Sequence, residues 1–327
     1  MLSKLKKALN ESDCWTEIRY HNRKQSSIEI KNGEVSTVED STLAGAGIRC
    51  LVNGSWGFAA TADMSDEGLA KAVREASSAA RVGSSLRKNK IEKIAEGEIA
   101  KGKYNYVEKD DEIELSEKIK LFLDAEELIR EKKDIISGIV NYSKFDDKKV
   151  IVNTDGAEVE IKDIKQDLGV IAIAKNELSQ EIGSSSAGVT GNWNNLFAEK
   201  SLNEMVEEAV KIARQKLEAD YAKGGEFTVV LDPVLVGILS HEAIGHTVEA
   251  DFVMSGSAAQ GKIGKKVASD KVTMVDDGRI EQSSGMTIVD DEGTVADRTT
   301  IIENGIMKDY LHNRESAAEF AVRPKGN

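Results

Sequence analysis

Two histidines and a glutamate are the residues here whose type and spacing suit catalysis. The chain has only four histidines in 327 residues, His21, His241, His246 and His312. Two of them fall in Leu239-Ser-His-Glu-Ala-Ile-Gly-His-Thr-Val-Glu-Ala-Asp-Phe252, and Glu242 directly follows the first. Imidazole nitrogens are ligands for a divalent ion such as zinc, and a neighbouring carboxylate is the base that a hydrolase needs for metal-activated water. The spacing is unusual. Histidines four apart lie about 40° from each other around an α-helix, whereas five apart lie about 140° apart. His241 and His246 therefore share an ion only if the helix is locally widened, as in a π-bulge with i→i+5 bonds, a feature frequent at functional sites. Gly245 suits such an irregular backbone. The competing reading is two unrelated histidines, one buried and one exposed. Glu249, three residues past His246, shares its side of a helix and is a candidate to orient that imidazole or to be a ligand itself. Asp251 reads as a helix-surface charge.

The elements around these residues can be read from pattern. Residues 227–231, Phe-Thr-Val-Val-Leu, look like a buried strand. Asp232 is a good N-cap and Pro233 suits the first helical position, so a helix is expected through His241 to about Asp251. Further strands are expected near 271–275, 286–290 and 299–303, with Asn304-Gly305 as a turn. Lys223-Gly-Gly225 marks a boundary between a domain of residues 1–223 and a second of 224–327.

The first 60 residues predict antiparallel hairpins. Asn32-Gly33 and Asn53-Gly54 each separate two runs of strand character, and Asn-Gly is the strongest short hairpin signal. Gly45-Ala-Gly47 runs into a strand and lacks a third glycine, so it is not a dinucleotide-binding loop. A helix is expected from the N-cap Ser65, another over 113–132, and a third from Ser201, whose pairing with Glu204 is a capping box. Strands are expected at 137–144, 148–153, 157–162 and 168–175, a flexible connection at 82–112, and a loop at 183–188. The fold class is α+β: an N-terminal α/β domain with antiparallel hairpins and long helices, then a β-rich C-terminal domain carrying the metal-binding helix.

Composition narrows the function classes. The net charge of -13 disfavours direct nucleic-acid or anionic-membrane binding, because bulk phosphate neutralisation is absent. No apolar run approaches the roughly 20 residues that span a bilayer. Size scaling gives a compact chain of this length roughly 13,000 Å² of surface. Two cysteines, Cys14 and Cys50, make no disulfide framework, and the cytoplasm is the expected compartment.

The stretch Asp232-Pro-Val-Leu-Val-Gly-Ile-Leu-Ser-His-Glu-Ala-Ile-Gly-His-Thr-Val-Glu-Ala-Asp251 resembles the metal-binding helix of the TldD/PmbA family, zinc metallopeptidases also labelled modulators of DNA gyrase. Val35-Ser-Thr-Val-Glu-Asp40, Gly45-Ala-Gly-Ile-Arg49, Asn53-Gly-Ser-Trp-Gly-Phe-Ala59, Ile288-Val-Asp-Asp-Glu-Gly293 and Ile302-Glu-Asn-Gly305 are similar as well. The resemblance implies that His241 and His246 bind zinc (Zn) and that Glu242 is the general base on a zinc-bound water. It implies hydrolysis of unfolded or flexible peptides and a dimer, either a homodimer or a pairing with a paralogue lacking the motif. The family's third zinc ligand is a cysteine in a later region, and no cysteine follows Cys50 here. Relative to the family the chain reads as C-terminally short, and Glu249 or a partner residue is the expected substitute. The alternative expectation is a non-catalytic or incomplete subunit acting as a scaffold in such a dimer. The strand-rich domain also suggests that an extended peptide adds to a sheet edge.

Overall fold

The structure, a computed structural model, describes residues 1–107 and 111–326. Residues 108–110, part of the connection expected at 82–112, and Asn327 lie outside the described residues.

Helix α1 (Leu2–Leu9) precedes two very long strands, β1 (Trp15–Lys31) and β2 (Glu34–Val52), and the shorter β3 (Ser55–Thr61). The two Asn-Gly turns are where the pattern places them. Asn32 and Gly33 have φ of 51° and 80°, and Asn53 and Gly54 have 48° and 77°, the left-handed pairs of a tight hairpin. Helix α2 (Asp66–Leu86) starts at Ser65, whose hydroxyl accepts from the Gly68 N–H. It buries Leu69, Val73, Ala76 and Ala80. Strand β4 (Lys101–Asn105), helix α3 (Leu115–Arg130), strands β5 (Ile135–Asn153), β6 (Glu158–Lys175) and β7 (Gln180–Thr190), and helix α4 (Leu202–Glu218) follow. The capping box of Ser201 and Glu204 is present at the start of α4.

These strands form one sheet in the order β3-β2-β1-β5-β6-β4, with β7 also paired to β6. All pairs are antiparallel except β4 with β6. Alternation assigns the faces. Ile18, Ile28 and Ile30 of β1 and Val140, Tyr142, Val150 and Val152 of β5 all lie in the cores beneath the helices. Helices α1 and α2 cover one end of that face, and α3 and α4 cover the other. Ile151, Val159 and Ile161 point to the opposite face, where they pack with Val289 from the C-terminal region.

Several expectations change. The strand pairs expected at 137–144 with 148–153, and at 157–162 with 168–175, are each one continuous strand, because neighbours on both sides complete the hydrogen bonds of the polar middle stretches. The loop expected at 183–188 lies inside β7. Its Gly183 lets α4 approach the sheet: a Cβ there would sit 2.0 Å from the Ala209 carbonyl oxygen. Part of the connection expected to be flexible is a fastened strap. The Ala95 N–H donates to the Arg314 carbonyl, the Arg314 side chain donates back to the Ala95 carbonyl, and Ile99 bridges Thr294.

Past α4 the chain runs exposed from Glu218 to Leu239. The strand expected at 227–231 does not form. It finds no neighbouring strand among the described residues, and Val229 and Val230 are 66% and 99% exposed. Helix α5 (Pro233–Ser240) begins as expected at Asp232, which accepts from the Leu235 N–H. After an irregular segment come α6 (Ala250–Met254), β8 (Met274–Asp276), β9 (Thr299–Glu303), β10 (Ile306–Met307) and α7 (Arg314–Glu319). Strands β10, β9 and β8 form a small antiparallel sheet whose Ile301 packs with Val248, Val253 and Tyr310. The strand expected at 286–290 reduces to a single bridge between Val289 and Val295.

Candidate metal centre

The helix that starts at Pro233 does not continue regularly to Asp251. At His241–Gly245 it widens into one π turn, closed by the His246 N–H donating to the His241 carbonyl five residues back. A tight 3-10 turn, His246–Val248, then redirects the chain into α6. The widened turn removes the phase problem in the sequence spacing. The two imidazole rings approach to 4.5 Å between centroids at an interplanar angle of 69°. A ligand atom from each of His241, Glu242 and His246 falls within 4.8 Å of the other two, and all three residues are exposed. Gly245 is not needed for its conformational freedom. Its φ and ψ of -48° and -59° are right-handed helical, and a Cβ there would stand 3.8 Å from His241 Nδ1, ordinary contact.

Glu249 reaches back across the 3-10 turn, placing Oε1 2.7 Å from His246 Nδ1. That contact fixes one ring nitrogen and leaves Nε2 to face a ligand, the usual arrangement for a metal-bound imidazole. Asp251 is exposed, and its Oδ1 accepts from the neighbouring Phe252 N–H. The donor types suit zinc: the two imidazoles approach each other, a carboxylate oxygen stands within 4.8 Å of both, and an acceptor supports one of the rings. The remaining histidines stand apart. His312 is buried against Tyr310 and Phe320 with Nδ1 3.2 Å from the Ser316 hydroxyl, and burial lowers its pKa. His21 Nε2 lies 2.9 Å from Asp147 on the long strands.

Beside Glu249 opens a cavity of about 420 Å³ lined by Asp251, Asp276, Asp290, Asp291 and Glu292 among others. The sequence reading missed it. Its only visible signal was the acidic run Asp290-Asp-Glu292, whereas Asp276 arrives from another strand. Burial pushes the Asp290 carboxyl up to about 7.

The cavity wall is tied to the large sheet by a dense ionic cluster. Arg49 grips the buried Glu17 through two bonds of 3.0 and 3.1 Å and donates to Glu292 at 2.6 Å. Its guanidinium lies over the Trp15 and Trp56 rings, at 5.5 and 4.9 Å from their centroids. The Trp56 indole donates to Glu315, while Trp15 and Arg314 both donate to Asp155. The region holding the histidines is thereby anchored to the sheet.

Comparison with known proteins gives consistent matches. Residues 16–80, 108–217 and 224–327 match the profiles of the PmbA/TldA metallopeptidase domain 1, central domain and C-terminal domain. The chain is 30% identical over 332 residues to a metalloprotease of Methanocaldococcus jannaschii, covering all of this chain and 72% of that one. It is 26% identical over 340 residues to a zinc metalloprotease TldD homolog of Saccharolobus solfataricus, covering all of this chain and 71% of the relative. In fold it resembles a Thermotoga maritima protein described as a modulator of a DNA gyrase. The TM-score is 0.84 at 22% identity, across the whole of this chain and 74% of that one.

Proposed function

This chain belongs to the PmbA/TldD metallopeptidase family, and from that premise we propose that it is a zinc-dependent peptidase acting on unfolded or flexible peptides. The observation that carries this reading is the π turn, which brings His241 and His246 together beside Glu242. In this proposal His241 and His246 hold the zinc, Glu249 orients His246, and residues 224–327 form the catalytic unit attached to residues 1–223. A bound zinc supplies Lewis acidity, polarising a scissile carbonyl and lowering the pKa of water. Glu242 accepts the proton of the attacking water and returns it to the leaving amine, which is general acid–base work for a carboxylate within hydrogen-bond reach. An extended substrate has a candidate seat on the outer edge of β2 over residues 34–45, since among the described residues β3 pairs only with 46–52. The protein works in the cytoplasm in this reading, as a homodimer or with a motif-lacking paralogue.

The test is metal stoichiometry and peptide cleavage together. The wild-type chain is expected to hold one zinc and to cleave a casein-like unfolded substrate. His241→Ala is expected to lose the metal. Glu242→Gln is expected to keep it and lose cleavage by about 10²–10⁴-fold. Undiminished cleavage by Glu242→Gln with zinc still bound would remove Glu242 from the mechanism.

A second reading, a scaffold subunit in such a dimer, is favoured by the exposed apolar stretch next to the histidines. A folded, dimeric sample that takes up no zinc would decide for it. Steeply salt-dependent DNA affinity would instead revive the gyrase label, against the net charge of -13.

A further inference from the structure

The chain has two cysteines in 327 residues, and the fold brings both to one hydroxyl. Thr16 Oγ1 lies 3.6 Å from Cys14 Sγ and 3.2 Å from Cys50 Sγ. Thr16 stands opposite Cys50 in the β1–β2 register, and Cys14 precedes the first paired residue, Trp15. Both thiols are free.

The two sulfurs have opposite surroundings. Cys14 is partly exposed and sits among three hydroxyls, those of Ser12, Thr16 and Ser77, at 3.5, 3.6 and 3.7 Å. Cys50 is fully buried in the core under α2, with the Val73 carbonyl 3.9 Å away. Partial burial raises the Cys14 pKa, but the three hydroxyls together with the Cys50 thiol outweigh it and the net shift is downward. Burial pushes Cys50 up to about 12. A partly exposed thiol held among hydroxyls beside a shielded one is the arrangement of an oxidant-sensing site with its resolving partner.

We propose that Cys14 and Cys50 form an oxidisable dithiol, a modification site for hydroperoxides in which Cys14 reacts first and Cys50 resolves it. The Cys14 sulfur attacks a peroxide oxygen. An S–O bond forms as the O–O bond breaks, and the leaving oxygen departs as water or alcohol after taking up a proton. Cys14 is then a sulfenic acid, oxidised by two electrons, and the peroxide is reduced by two. The Cys50 sulfur next attacks the Cys14 sulfur. The S–S bond forms, the S–O bond breaks, and the hydroxide leaves as water with the Cys50 proton. Closing the bond draws the sulfurs to about 2 Å. The stretch before Trp15 can supply that movement, because no strand ladder holds it.

The site is independent of the histidines, so its test needs neither zinc nor peptidase activity. The folded chain is treated with limiting hydrogen peroxide, blocked with an alkylating agent and digested without reduction. The expected product is one cross-linked peptide pair containing Cys14 and Cys50, two hydrogens lighter than the separate peptides and restored by a thiol reductant. Cys50→Ala is expected to stop at a Cys14 sulfenic acid that a 1,3-dione probe captures. Cys14→Ser is expected to leave Cys50 as a thiol. Recovery of both cysteines as thiols from the treated wild-type chain would overturn the proposal, as would stable over-oxidation of Cys14 with no cross-link. The wild-type result stands alone should a variant fail to fold, which circular dichroism reports.

Discussion

In the proposed reaction single residues carry the chemistry, and the sequence revealed their identity more plainly than their direction. His241, Glu242 and His246 were legible because histidine is so rare here. Their convergence was legible only as a condition, since a spacing of five points two side chains apart unless the helix widens into a π turn. One i→i+5 hydrogen bond decides the matter. Glu249 was legible as a neighbour of His246 and is now seen bonded to it. Removing that support by Glu249→Ala is expected to weaken zinc binding about 10–100-fold while leaving the fold intact. Competition against a fluorescent chelator measures it, and unchanged affinity would show that His246 needs no orienting partner. The acids of the adjoining cavity were not legible as a group, because Asp276 and Asp290 meet only after two separate segments are folded together.

Among the elements, hairpin turns and helix starts were readable because their signals are local. Asn-Gly pairs, the Ser65 cap and the Ser201 capping box act within four residues. Strand length was not readable. The stretch from residue 19 to 27 in β1 is largely polar, and it is strand because β2 and β5 flank it, a tertiary fact. The segment 183–188 misled for a related reason. Its small residues look like a loop, but the buried ones, Gly183 and Ser185, face α4, at Ala209 and Glu208 respectively. Gly183→Ala tests this. The added methyl meets the Ala209 carbonyl and Ala213 nitrogen of α4, so a loss of about 1–3 kcal/mol is expected in chemical denaturation. A neutral result would mean that α4 shifts freely on the sheet.

At the scale of the whole molecule, the ionic cluster around Arg49 joins the histidine-bearing region to the sheet, and its charges make stability depend on pH. Burial, with Glu292 and Glu17 adding negative charge, pushes Asp290 up to about 7, although the Thr294 and Glu292 N–H groups favour its ionised form. The unfolded chain releases this proton near pH 4, so between about 4 and 7 the folded state holds a proton that the unfolded state lacks. Stability from this group is therefore greatest at low pH and falls as pH rises through that window. Asp290→Asn keeps an acceptor for the two N–H groups and is expected to melt at a higher temperature than wild type near about pH 8, with the gap closing towards about pH 5. A gap that does not change with pH would dissociate Asp290 from this behaviour. The molecule also exposes 18447 Å², well above the roughly 13,000 Å² expected of a compact chain of its mass. Exposed chain contributes to it over residues 34–43 of β2 and from Glu218 to Leu239.

That bare stretch has a colloidal consequence. Phe227, Val229, Val230, Val234, Leu235, Ile238 and Leu239 all face water within thirteen positions, immediately upstream of His241 and His246. Such a greasy ribbon lowers solubility and attracts amphiphiles, so the purified chain is expected to brighten a naphthalene-sulfonate dye while natively folded. Replacing Val230 and Val234 with serine should dim that glow and slow precipitation on concentration. A dye that stays dark with the wild-type chain would mean the ribbon is already shielded in solution.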